Sequence, residues 1–195
     1  MKQIKGTQYE TGVIHGRLQI LHNDHVKFLL AGKKLCNHLI VGITNPDPTL
    51  TKVHDSNPHR SMLIANPLTY YERYVMVRET LLEKGLELSE FSIVPFPINV
   101  PELLKYYVPM DVAFFLSIYD DWGRQKKKYL ESLGLNVQVL WEVPLEKKGL
   151  SGSDIRESML KGGQWEQFVP PIVAKLIKKW DVIKRLKNLS ETKKL

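Results

Sequence analysis

Short apolar runs alternate with helix-like segments along most of this chain, and that alternation restricts the fold more than any other feature. Strand-length runs stand at 12–15 (GVIH), 38–43 (HLIVGI), 92–95 (SIVP), 111–116 (DVAFFL) and 136–141 (NVQVLW). Between them lie helical stretches at 23–35, with Val26, Leu29, Leu30 and Leu35 on one stripe, at 69–84, and at 121–133, where Gly134 suits a left-handed cap. Runs buried on both faces lack the polar–apolar alternation of a half-exposed strand, so this order predicts an α/β fold built on an open, parallel, five-stranded sheet with helices on both faces. After Gly149 the strand signals stop, and helices expected at 153–161, 171–179 and 182–189 form a C-terminal helical extension. The expectation is one domain over 1–195, with a core at 1–150 and a helical part at 151–195.

A chain of 195 residues with 43% hydrophobic content can bury a sizeable core. Its first residues lack the apolar centre of a signal peptide, and no uncharged apolar run approaches the roughly 18 residues that span a bilayer. Cys36 is the only cysteine, which excludes an intramolecular disulfide and a cysteine zinc cage. Together these predict a cytoplasmic protein with no membrane attachment. The net charge of +7 is concentrated at the C-terminal end, where eight bases from Lys175 onward face only Asp181 and Glu191. A solvated helix face explains such a run more simply than a nucleic-acid patch, so nucleic acid is not the expected partner. The proline-broken connection over 44–67 and the charged helices leave room for a homo-oligomer.

In an open α/β sheet, ligands bind beyond the carboxyl ends of the strands, which singles out the turn between the first strand and the first helix. That turn runs from Gly16 to His25 (GRLQILHNDH). It offers a glycine for close backbone approach, a guanidinium suited to phosphate in Arg17, and a helix N-terminus whose amides attract anions. His22 and His25, three residues apart, share a face and can point at one phosphate. Such donors suit in-line displacement at phosphorus, where charge builds on equatorial oxygens and on the leaving group. The competing readings are a capping or packing histidine, and a metal pair. The metal pair is disfavoured because no HExxH pattern is present and His38, His54 and His59 give no ligand spacing with it.

At these residues the segment GVIHGRLQILHNDHVKFL resembles the GRFQPxHxGH signature of the archaeal-type nicotinamide-nucleotide adenylyltransferases, members of the wider HxGH nucleotidyltransferase superfamily. Two more blocks resemble that family in order and spacing: residues 66–73 (NPLTYYER) its NPFTxxER segment, and residues 150–156 (LSGSDIR) its ISGTxIR motif. The resemblance implies a Rossmann-like fold and a transferase that moves AMP from ATP to nicotinamide or nicotinate mononucleotide with release of pyrophosphate, assisted by Mg²⁺. Carried over, it makes Arg17, His22 and His25 catalytic. His15, Gly16, Arg17, Gln19, Ser151, Gly152, Ser153 and Arg156 become nucleotide-binding, with Ser151 and Arg156 on the outer phosphates. Asn99, Tyr119, Trp122 and Arg73 become acceptor-binding, and no side chain is assigned to a metal. The reading requires the separated blocks to converge on one polyphosphate with the imidazoles within reach.

Three departures bear on it. Asp24 stands where the family has glycine, either weakening triphosphate binding or capping the helix. Ile20 replaces a proline. The tryptophan that stacks on the nicotinamide ring in the family has become Leu103 or Leu104, and the turn after the fourth strand reads SIYDDW, so the acceptor pocket is rebuilt. Trp122 or Tyr119 either restores stacking or merely covers the sheet end. The missing ring-stacking residue keeps open a different phosphorylated acceptor, or CTP in place of ATP. A nucleotide-binding protein without catalysis is the further alternative.

Overall fold

A computed structural model describes residues 9–50, 62–147 and 149–191. All five expected strands form, as β1 (Tyr9–Gly16), β2 (Cys36–Thr44), β3 (Phe91–Phe96), β4 (Ala113–Ile118) and β5 (Asn136–Glu142). Every pairing is parallel and the order is β3-β2-β1-β4-β5. The chain builds outward from β1 in one direction and then returns to β1's other side. The strand order therefore reverses between β1 and β4, the point beyond whose carboxyl ends open α/β sheets bind their ligands.

The helices are α1 (Asn23–Lys33), α2 (Tyr70–Glu83), α3 (Asp121–Ser132), α4 (Gly152–Leu160), α5 (Pro171–Lys179) and α6 (Val182–Glu191). Successive strand residues point to opposite faces, so neighbours in β1 enter different cores. Ile14 joins Leu29, Met76, Leu81, Ile155, Val173, Ile177 and Leu186 under α1, α2 and the three C-terminal helices. Val13 joins Phe96, Leu104, Phe114, Leu130 and Leu135 under α3 and a 3-10 turn at Pro101–Tyr106. That turn is an element the apolar periodicity did not predict. It lets Leu104 drop fully into the core.

The helix starts differ in a way that matters for the site. In α2, Thr69 and Glu72 form a reciprocal capping box; Ser151 and Asp154 do the same for α4, and Asp120 accepts from the Gly123 amide at α3. At α1 the N-cap residue is His22, whose side chain makes no capping bond. Glycines with positive φ, Gly85 and Gly134, follow α2 and α3, as left-handed exits require. Among the described residues no helix is long and apolar enough to cross a membrane. His54 and His59 lie outside the described residues.

Candidate active site

The turn from β1 to α1 is held from below by its own apolar side chains: Leu18 is 4% exposed, and Ile20 and Leu21 are fully buried. Leu18 takes a φ of 51°, a left-handed conformation unusual for leucine, and the Gln19–Ile20 peptide is cis. The Gln19 side chain donates to the Leu68 carbonyl and accepts from the Leu68 amide, both at 2.9 Å, and so clamps this turn to the residues preceding α2. Gln19 was expected at the nucleotide. Both ends of its amide are instead engaged with backbone, which leaves it the role of shaping the turn.

Arg73 differs from expectation in the same way. Its guanidinium, 2% exposed, donates to the carbonyls of Arg17 (2.9 Å), Thr44 (2.7 Å), Asn45 (2.8 Å) and Thr69 (3.2 Å). Desolvation pulls its pKa down to about 10, and no carboxylate partner is among these contacts. Arg73 thus ties the carboxyl ends of β1 and β2 to the start of α2, where an acceptor contact was expected. Asn99 donates to the Asn45 side chain at 3.3 Å, and so stands beside this knot at the carboxyl end of β2.

The N-terminus of α4 packs directly on the turn. A Cβ on Gly152 would lie 2.6 Å from the Gln19 carbonyl oxygen and 3.2 Å from the Ile20 nitrogen. Arg156, 7% exposed, donates to that same Gln19 carbonyl and, at 3.0 Å, to Ser153 Oγ. Ser151 donates from its backbone (2.6 Å) and its hydroxyl (2.7 Å) to the Asp154 carboxylate. These donors hold Asp154 below the usual carboxylate range, with a smaller contribution from His22 that marks the imidazole as a neighbour. The first and last sequence blocks therefore converge. Asp154 was not predicted, although the Ser-x-x-Asp spacing of a capping box signals it.

His22 and His25 stack with ring centroids 3.7 Å apart at 30°. His22 is 6% exposed, and His25 is half-buried with its Nδ1 closed off from solvent. Arg17 is half-buried at the mouth of the turn. Asp24 is exposed in the first turn of α1, and its Oδ2 would be 2.0 Å from a Cβ at position 149. The carboxylate that replaces the family's glycine is thus accommodated by a glycine on the facing segment.

On the opposite face of the sheet, His15 lies stacked on Phe96, with centroids 4.5 Å apart and planes 12° apart. Phe96 reaches that position by crossing Gly42, where a Cβ would meet its ring at 2.7 Å. Both nitrogens of His15 are buried without a hydrogen-bond partner among the described residues. Burial, aided by the charge of Lys126, pushes its pKa well below the ordinary 6.5 and keeps the ring neutral. Tyr119 accepts a bond of 2.8 Å from the Trp141 indole, and Lys126 lies 5.5 Å from the ring centre of Trp122. A depression of about 320 Å³ beyond β4 and β5 is lined by Tyr119, Arg124, Glu142, Val143 and Pro144. A larger one, about 390 Å³, lies along the β3 edge by Tyr74 and Arg78, away from these groups.

Among the described residues no three His, Cys, Asp or Glu side chains converge to hold a metal ion. A divalent cation arriving already bound to a triphosphate belongs to the substrate, and Mg²⁺ commonly keeps waters and phosphate oxygens as most of its ligands.

A family model described as cytidylyltransferase-like matches residues 13–158, which include the β1–α1 turn and the start of α4. The chain belongs to the cytidylyltransferase-like family. Its reaction class is nucleotidyl transfer. It is 44% identical over 186 residues, 95% of this chain and 98% of the other, to a phosphonoformate cytidylyltransferase of Streptomyces viridochromogenes. It is 29% identical to a nicotinamide-nucleotide adenylyltransferase of Thermococcus onnurineus, covering 92% and 88% of the two chains. The structure also resembles the bifunctional NMN adenylyltransferase/ADP-ribose pyrophosphatase of Francisella tularensis, solved with AMP and manganese. The TM-score is 0.63 at 16% identity, over 93% of this chain and 52% of that one. The chain thus spans about half of that two-activity protein, and the likeness establishes the nucleotidyltransferase fold.

Proposed function

We propose that the protein transfers CMP from CTP to a small acceptor bearing a phosphonate or phosphate group, releasing pyrophosphate. The observation that carries this reading is the acceptor side of the sheet. The resemblance puts the family's stacking tryptophan at Leu103 or Leu104, and Leu104 is fully buried in the core within the 3-10 turn. Neither leucine offers the aromatic face that the tryptophan gives to a ring-bearing mononucleotide. The 44% likeness to a cytidylyltransferase whose acceptor is phosphonoformate supports the same choice.

In this reading an acceptor P–O⁻ oxygen attacks the α-phosphorus, a new P–O bond forms, and the bond to the bridging oxygen breaks as pyrophosphate leaves. Arg17, Gly16 and the uncapped amides of α1 meet the triphosphate, with His25 and then His22 beside the α-phosphate. Ser151, Gly152, Ser153 and Arg156 at α4 meet the outer phosphates. The cation travels with the nucleotide. Residues 9–191 act as one unit.

The second reading, adenylyl transfer to nicotinamide or nicotinate mononucleotide, is favoured by the relatives at 27–29% identity and by the three shared blocks. A pyrophosphate-release assay that crosses CTP and ATP with phosphonoformate, nicotinamide mononucleotide and nicotinate mononucleotide separates the two. The expected result is a kcat/KM with CTP and phosphonoformate at least about tenfold above any ATP and mononucleotide pair. Turnover confined to ATP and a mononucleotide replaces this reading with the second.

A further inference from the structure

Buried imidazoles almost always find a hydrogen-bond partner, because a polar group removed from water without one is costly. His15 breaks that rule twice, since neither ring nitrogen is paired among the described residues and the side chain is 5% exposed. It is also not a random core position. His15 is one residue short of the carboxyl end of β1, on the central strand and beside the point where strand order reverses. One ring face is covered by Phe96, and Lys126, on the helix α3 that covers this face of the sheet, holds its ammonium 5.5 Å from the Trp122 ring centre, from where its charge lowers the pKa of the imidazole.

The direction in which His15 points decides what could use it. The α4 motif and the β1–α1 turn lie with the Ile14 side of β1, whereas His15, like Val13, projects to the α3 side. In-line displacement demands that the nucleophile enter opposite the leaving pyrophosphate. If the outer phosphates leave toward α4, the acceptor comes from the α3 side and its far end reaches toward His15.

We infer that His15 and Lys126 form a subsite for a second anionic group on the acceptor, so that the enzyme selects small phosphonates or phosphates carrying a carboxylate near the reacting phosphorus. This rests on the proposed reaction and names its acceptor class. The imidazole N–H and the ammonium supply two donors against a wall of Phe96, and the bound carboxylate satisfies the orphaned ring. Since the ring nitrogens are closed off from solvent, the acceptor displaces part of their cover on entry.

The test compares phosphonoformate and phosphonoacetate with methylphosphonate, which keeps the reacting group and lacks the carboxylate. Wild-type protein with CTP is expected to prefer the carboxylate-bearing pair by roughly tenfold to a hundredfold in kcat/KM, the range of a hydrogen bond to a charged group. His15→Phe, which keeps the stack, His15→Gln and Lys126→Met are each expected to erase that preference by raising KM for phosphonoformate without a matching rise in KM for CTP. Equal use of methylphosphonate and phosphonoformate, or a preference that survives in all three variants, overturns the subsite and leaves the proposed reaction standing. A second readout is independent of turnover. In ¹H–¹⁵N spectra of the imidazoles without nucleotide, phosphonoformate is expected to shift the His15 signals and methylphosphonate to leave them in place. If CTP is turned over with no phosphonate or phosphate acceptor, the proposed reaction falls and this readout decides alone: a shift sustains the anion subsite, and unmoved His15 signals end it.

Discussion

At the scale of single residues, the two histidines of the turn are not equivalent. His22 is buried, with its charge acting on Asp154, while His25 is only half-buried, its ring centroid 3.7 Å from that of His22. A donor that meets charge only as it develops lowers the barrier more than it tightens the ground state. His25→Ala is therefore expected to reduce kcat by about 100-fold while KM for CTP changes by less than about threefold, as measured in steady-state assays. Equal effects on both constants would make it a ground-state binding residue. The contrast with Arg73 shows what residue type alone conceals. The sequence resemblance implied an acceptor contact, yet the guanidinium meets carbonyls of residues 17, 44, 45 and 69. An arginine suited to phosphate and one suited to converging carbonyls look alike in a sequence, because the convergence comes from three distant segments.

At the scale of elements, the site depends on the start of α4 seating on the β1–α1 turn, and two glycines test that contact differently. At Gly152 an added methyl meets the backbone of Gln19 and Ile20, which cannot rotate away. At Gly149 it meets the Asp24 carboxylate, the end of an exposed side chain that can swing aside. Gly152→Ala is expected to lift α4 from the turn and raise KM for CTP at least about tenfold, whereas Gly149→Ala stays within about twofold and within about 0.5 kcal/mol of wild-type stability. Nucleotide titrations followed by calorimetry and urea unfolding would check both, and identical behaviour would sink the contrast. The five strands were legible because each is bounded by turn residues and three of them, β1, β2 and β4, hold runs of four or more buried residues. The helix limits agree with expectation within two residues at each end. The 3-10 turn at Pro101–Tyr106 was not legible, since one proline and a short apolar pair carry no helical period. Nor was the His15–Phe96 stack, which requires β2 to present Gly42 between two strands that are not neighbours in the sheet.

At the scale of the whole molecule, the C-terminal helices return to the site through one ion pair. Glu72 completes the capping box of α2 and also receives both terminal nitrogens of Arg185 on α6, at 2.7 and 2.8 Å; Arg185 donates as well to the Pro67 carbonyl at 2.9 Å. α6 therefore locks the segment that carries Leu68 and Arg73, which in turn fix the β1–α1 turn. Burial raises the Glu72 pKa, but the Arg185 and Thr69 bonds more than offset it and leave the carboxyl below its usual 4.5. The unfolded chain then takes up this proton before the folded one does as pH falls. The stabilisation is complete above pH 4.5 and is lost as pH drops through the depressed folded value. Arg185→Met is expected to cost about 1–2 kcal/mol at pH 7, less than the 3–5 kcal/mol of a fully buried pair, because its side chain is 35% exposed. With Arg185 gone, burial acts on Glu72 with less opposition, so acid relieves the variant while it weakens the wild type. The stability difference should shrink by more than half between pH 7 and pH 3.5 in urea unfolding, the residue reflecting the lost bond to Pro67. A difference that is constant over this range would mean that α6 is held by its apolar face, through Val182 and Leu186, and that the ion pair only decorates a contact made by packing.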